Sequence, residues 1–325
     1  IRNYRNQAIM ICTMAVNNET GVYQDLKAVE QAIRGGERQP LWMVDSVQAL
    51  GKKTLELDDI SIDYAPFSGH KLYGPKGIGF LYVRKGAPIT PFIAGGGQES
   101  GLRSGTENIH GISALKIIFE SLLDKDNSLF NEASVLHQYR EKLAASLKHI
   151  FPELVFNHSF DVSVPTTLNF SVKGFSSKEV MDLFDAANIR VSSGSACSSS
   201  VTRSFVLDAM GLPQWQSESA IRLSFGPAMT EEELEIACER IEGLGKVLSR
   251  SCLLVSDNTE NVDYIRDGLI QFRHNGCISW VFIDKDTRKA IVIDPYAEHA
   301  ERIETLIRCQ ELDVISVLDT HTHND

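Results

Sequence analysis

Apolar residues in the first quarter of the chain fall in short runs separated by stretches with helical spacing. Residues 8–16, 41–44 and 78–83 read as strands, and 25–33 as a helix. That alternation predicts an α/β layer with a largely parallel sheet. A turn-heavy, glycine-rich stretch follows at 94–108, and then two helices at 109–123 and 129–150. Beyond Pro152 the texture becomes α+β. Strands are expected at 167–172 and 220–224, and each is followed by a helix with a capping-box start, Ser176 with Glu179 and Thr230 with Glu233. The polar run at 256–261 reads as a linker. After it come strands at 269–273, 279–283 and 290–293, a helix at 297–306 and a strand at 314–318. The expected partition is 1–120, 121–250, a linker at 251–261, and 262–325.

Composition narrows the class. With 325 residues, 43% hydrophobic and 23% charged, the chain is an ordinary globular sequence long enough for more than one core. A net charge of −11 argues against a broad nucleic-acid surface. No apolar run reaches the roughly 18 residues that span a bilayer, and the charged opening IRNYRNQAIMICTM is unlike a signal peptide. Six cysteines at 12, 197, 238, 252, 277 and 309 lack the spacing of a disulfide framework, which suits a cytoplasmic setting. Cys238, on an amphipathic helix, reads as an inert core residue.

The densest chemistry lies in FSGHKLYGPKGIG, residues 67–79. A lone lysine in a turn is usually solvated. Lys71, however, sits between a strand and a Gly/Pro-rich loop, with Ser68 and His70 just before it. Attack on an aldehyde needs an amine in a walled, partly desolvated site, and Ser68 and His70 could hold a phosphate. Asp45 ends the strand at 41–44, where α/β sheets present ligands. A carboxylate there could keep a pyridine nitrogen protonated or merely cap a turn. Gln48 follows three residues later.

The runs VNNETG (16–21), VDSVQ (44–48) and SGHK (68–71) resemble the cysteine desulfurase family, within the class V aminotransferases of pyridoxal-phosphate fold type I. The resemblance covers residues 1–248 and implies a mixed-sheet large domain with a small α+β domain. It makes Lys71 the lysine that carries pyridoxal 5'-phosphate and shuttles the substrate proton. It pairs Asp45 with the ring nitrogen, Gln48 with the ring oxygen, and Ser68 and His70 with the phosphate. Asn18 would lie near the substrate carboxylate and the cofactor. The RSGT segment would lend Thr106 to the phosphate site of the second subunit of a homodimer.

RVSSGSACSSS, residues 190–200, is small and polar around Cys197, as expected of an exposed loop. Arg222 lies in a predicted strand, where an unpaired charge is costly. Its fork suits a carboxylate, with a structural salt bridge as the alternative. By the resemblance, SGSAC matches the flexible-loop group of desulfurases. Cys197 would take sulfur from L-cysteine as a persulfide for sulfur-acceptor proteins, releasing L-alanine, and Arg222 would bind the substrate carboxylate. The same residues leave open a selenocysteine lyase or another class V aminotransferase; dependence on Cys197 separates the transaminase from the desulfurase.

The last 60 or so residues do not fit that family. KAIVIDP (289–295), a helix, and VISVLDTHTHND (314–325) resemble the opening of a metallo-β-lactamase-fold hydrolase. His321, His323 and Asp325 would be the first ligands of zinc or iron, with a surface histidine pair as the bland alternative. A metallohydrolase with a degenerate cofactor domain therefore stays open, as does an inactive gene product. Ends that fall within an apolar run and within a ligand motif suggest a piece of a longer reading frame. The family's N-terminal part, with further phosphate contacts and a ring-stacking histidine, is not recognisable here. A segment without it is expected to bind cofactor weakly.

Overall fold

The computed structural model describes residues 1–124, 126, 128–194, 203–251, 265, 267–274 and 277–321. Cys197, His323, Asp325 and the proposed linker at 256–261 lie outside them. The chain divides into two compact units, Ile1–Ile241 and Glu242–Asp325.

The first unit holds two four-stranded sheets. One contains β1 (Met10–Met14), β2 (Leu41–Asp45), β3 (Tyr64–Ser68) and β4 (Gly79–Val83) in sequence order, with β1–β2 and β2–β3 parallel and β3–β4 antiparallel. Helix α1 (Leu26–Arg34) makes the β1–β2 crossover, started by Asp25, whose carboxylate accepts from the Ala28 N–H at 2.9 Å. Ile33, Trp42, Val44, Ile62 and Ala65, none with measurable exposure, fill the core. Asp63 is buried beneath them and is held by the Trp42 N–H, Arg34 and Arg84.

Helices α2 (Ile109–Leu123) and α3 (Ala133–Ile150) follow. The spacing places the start of α3 at 129, but the helix begins four residues later. Asn131 donates its backbone N–H and side-chain amide to the Pro227 carbonyl and the amide also to that of Met229, which draws this segment out of helical register. The second sheet has the order β5 (Leu154–Phe156), β6 (Thr167–Val172), β8 (Ile221–Ser224), β7 (Ser192–Ser193), all antiparallel. Every residue of β6 is buried. Helix α4 (Ser177–Ala186) carries the expected capping box. Short helices α5 (Phe205–Ala209) and α6 (Gln214–Ser219) precede β8. Helix α7 (Glu231–Ser251) opens with reciprocal Thr230–Glu233 hydrogen bonds. Cys238 on α7 is half-buried, so the core position expected for it is corrected: it lies at the edge of the helix's buried stripe of Leu234, Ile241 and Leu244.

The second unit is a sheet of order β12 (Asp313–Leu318), β11 (Lys289–Ile293), β10 (Cys277–Asp284), β9 (Gly268–His274). β11 and β12 are parallel and joined by α8 (Ala297–Cys309); the other pairings are antiparallel. Val281, Ile283, Val292, Ile303 and Leu306 form its core. Among the described residues Cys12, Cys238 and Cys277 are free thiols. No described helix is long and apolar enough to cross a membrane.

Candidate active site

Lys71 lies on a single 3-10 turn, Gly69–Leu72, that follows β3. Gly69 and Leu72 face inward and are buried, so His70 and Lys71 face out and are exposed. The walled setting expected for Lys71 is therefore not supplied by the described residues. The turn itself is firmly seated. Ser68 Oγ and His70 Nδ1 are 2.8 Å apart, bringing together the two candidate phosphate ligands. Tyr73, at φ 60°, closes the turn, and its hydroxyl accepts from the Ala228 N–H at 3.2 Å.

Asp45 ends β2 as expected. Its Oδ1 accepts from the Val47 N–H at 3.0 Å, which starts a turn running through Gln48 to Lys53. At Gly51 the backbone is left-handed (φ +71°), and an added Cβ would lie 2.6 Å from Leu72 Cδ1. Leu72, the residue after Lys71, is thus seated directly on this turn. Gly51→Ala is expected to cost about 1–3 kcal/mol through backbone strain and overpacking, read as a lower urea midpoint with an unchanged slope.

The VNNETG run forms a tight turn. Asn17 Oδ1 accepts from the N–H groups of Glu19 and Thr20 at 2.9 and 3.0 Å. Gly21 (φ +73°) approaches Thr167 so closely that a Cβ there would lie 2.9 Å from the threonine Cβ. Asn18, half-buried, presents its carbonyl to Arg222 Nη1 at 2.7 Å. Arg222 sits on β8, opposite Asn169 of β6 and Ser192 of β7. A charged hydrogen bond of this kind pins one end of the fork.

Two residues that the sequence reading passed over belong to this arrangement. Glu19, 1% exposed, accepts a 2.6 Å hydrogen bond from Ser204 Oγ across 185 residues. Ser204 in turn caps α5 by accepting from the Leu207 N–H. Lys52 donates to Gln48 Oε1 at 2.9 Å. Burial, with Lys71 and Arg222 nearby, pushes its amine down to about 8. The three cations therefore share one neighbourhood, although they come from distant parts of the chain. A region with this charge density favours a ligand carrying phosphate and carboxylate groups. Thr106 is exposed on the loop before α2, its carbonyl 3.5 Å from Arg103 Nη1.

The chain matches the aminotransferase class-V family over residues 2–236. It belongs to that family. Among class-V relatives it is similar to the cysteine desulfurase IscS of Serratia proteamaculans (strain 568), with 37% identity over 254 residues covering 77% of this chain and 61% of that protein. It is also similar to a solved NifS-like protein at 35% identity and TM-score 0.62, covering 74% of this chain and 62% of that one. A structure of SspA in complex with cysteine matches at 33% identity and TM-score 0.54, covering 70% and 63%. The chain spans about three-fifths of the length of the curated relatives it matches. Class-V membership implies a pyridoxal-phosphate cofactor. The residues fit one: a carboxylate at the end of β2, an exposed lysine, the paired Ser68 and His70, and the shared positive charge.

His321, the first candidate metal ligand, is exposed, with Nδ1 2.8 Å from Thr320 Oγ1. Thr320 is held by Asp294, whose carboxylate accepts from both its N–H and its hydroxyl at 2.7 Å. Among the described residues no group of three His, Cys, Asp or Glu side chains is placed to hold a metal ion. The other two candidate ligands lie outside them.

Proposed function

We propose that the protein is a pyridoxal-phosphate-dependent cysteine desulfurase that moves sulfur from L-cysteine to Cys197 and on to acceptor proteins. The observation that carries this reading is the turn that bears Lys71, where Ser68 Oγ and His70 Nδ1 pair at 2.8 Å, in a chain 37% identical to a cysteine desulfurase over 254 residues. When bound, the cofactor supplies an electron sink for the bonding electrons at the substrate α-carbon.

The chain's own residues divide the remaining work. Lys71 holds the cofactor covalently and moves the α-proton through Nζ. Asp45 keeps the ring nitrogen protonated, Gln48 meets the ring oxygen, and Ser68 and His70 hold the phosphate. Arg222 and Asn18 orient the substrate carboxylate. Cys197 Sγ then attacks the substrate sulfur. The substrate carbon–sulfur bond breaks as a sulfur–sulfur bond forms, and the carbon side is protonated to L-alanine. Thr106 completes the phosphate site of the second subunit in a cytoplasmic homodimer. The large domain covers 1–120 and the small one 121–250. Residues 262–325 open a metallo-β-lactamase-like domain, in which His321, His323 and Asp325 would be the first of the ligands of zinc or iron.

Cys197→Ser tests the reading. Cofactor binding and its Lys71-dependent visible absorption should persist, while sulfide release from cysteine in the presence of thiol falls about 10²-fold or more. Sulfide release at the wild-type rate would rule out Cys197 as the acceptor and favour another class V reaction.

A further inference from the structure

Lys52 has no role in the proposed reaction, yet its setting is unlike that of a surface lysine. Lysines near a surface keep the ammonium in water and bury only the stem. Lys52 is half-buried and turns its ammonium to the side-chain oxygen of Gln48, four residues earlier on the same turn, at 2.9 Å. The turn is locked against the cofactor lysine by the seating of Leu72 on Gly51. Lys71 reaches the neighbourhood from the turn after β3 and Arg222 from β8, and both charges act on Lys52. Two cations beside a third are tolerated when the region is built to receive anions.

We propose that Lys52 is a positioning residue: it holds Gln48 by its amide oxygen, so that the amide N–H2 faces the cofactor, and adds a third positive charge to the anion-binding site. The chemistry behind this is a matter of donors and acceptors. A glutamine amide can present either an acceptor or a donor. An ammonium only donates, so it selects the oxygen and leaves the nitrogen for an oxygen on the ligand. This inference rests on the pyridoxal-phosphate reading for its ligand, but the Lys52–Gln48 pair can be tested without any ligand.

Lys52 also has a stability signature. Burial and like charges lower the Lys52 amine from 10.5 to about 8 in the folded chain. Between those values the unfolded chain holds a proton that the folded chain has released, so folding gains stability as pH rises through that window. This signature reports burial of the amine and the cations near it, and the contact with Gln48 is read by labelling instead.

The experiment compares wild type with Lys52→Met, Lys52→Arg, Gln48→Leu and Lys71→Ala. Lys52 is labelled with a small amine reagent across pH and read by mass spectrometry. Its midpoint should fall in Gln48→Leu, because the ammonium loses its acceptor. Lys52→Met keeps the stem and should unfold with a flatter pH dependence between 8 and 10.5 than wild type. It should also bind pyridoxal phosphate about tenfold more weakly. Lys52→Arg, which keeps the charge, should recover most of the affinity.

An unmoved labelling midpoint in Gln48→Leu overturns the proposal. So does Lys52→Met with wild-type cofactor affinity while Lys71→Ala abolishes the absorption. A wild-type chain with no Lys71-dependent absorption counts against the cofactor reading alone, and the labelling arm then decides the pair by itself.

Discussion

Lys71→Ala is expected to abolish the visible absorption of bound pyridoxal phosphate and to lower sulfide release by about 10³-fold or more, the loss typical of removing a covalent attachment that is also a proton carrier. The fold should hardly notice. Lys71 is exposed, and the turn beneath it is fixed by groups that the substitution leaves alone: buried Gly69 and Leu72, the Tyr73 hydroxyl bonded to Ala228, and the Gly74 N–H bonded to the Gly69 carbonyl at 2.9 Å. The urea midpoint should move by no more than the equivalent of about 0.5 kcal/mol, as for other exposed sites. Lys71→Arg should fail as badly, because a guanidinium stays protonated and cannot attack an aldehyde. Absorption that survives in Lys71→Ala would mean that another amine holds the cofactor, and Lys52, at about 8, would be the first to examine.

Arg222→Ala should act on both substrate and fold. Its Nη1 hydrogen bond to the Asn18 carbonyl joins β8 to the VNNETG turn. A hydrogen bond to a charged group contributes about 1.5–3 kcal/mol, and the loss should appear in urea denaturation. If the same fork receives the substrate carboxylate, KM for cysteine rises about 10²-fold, while kcat falls less. Arg222→Lys restores charge but not the planar fork, and should recover stability better than KM. The substitution to alanine also removes one of the two charges that repel Lys52. The Lys52 labelling midpoint should therefore rise, whereas in Gln48→Leu it falls. A KM unchanged in Arg222→Ala would leave the arginine a purely structural tie.

Local signals in the sequence proved readable where they act over a few residues. Both capping boxes form as their spacing predicts. The strands and helices placed from the pattern fall close to their expected positions because period and turn residues are local properties, whereas the short β5, α5 and α6 had no such signal. What the spacing missed depends on distant contacts. α3 starts late because Asn131 is claimed by carbonyls nearly a hundred residues away. Glu19 reads as one more polar residue in a turn until Ser204 is brought to it. Lys52 reads as half of a solvated Lys-Lys pair, since nothing nearby in sequence announces Arg222. Burial of Lys71 was expected from its chemistry, yet neighbours, not chemistry, decide burial, and the described residues leave it open. The motif residues stand out in the sequence because the proposed chemistry asks for each as a particular type; their supports do not, because several types could serve.

The Glu19–Ser204 hydrogen bond bears on how such chains can vary. Ser192 and Ser193 are fixed by pairing with β8, and Ser204 is fixed by a carboxylate from the turn that contacts Arg222. Both moorings thus lie outside residues 195–202. Glu19 and Ser204 are therefore expected to vary together among related chains.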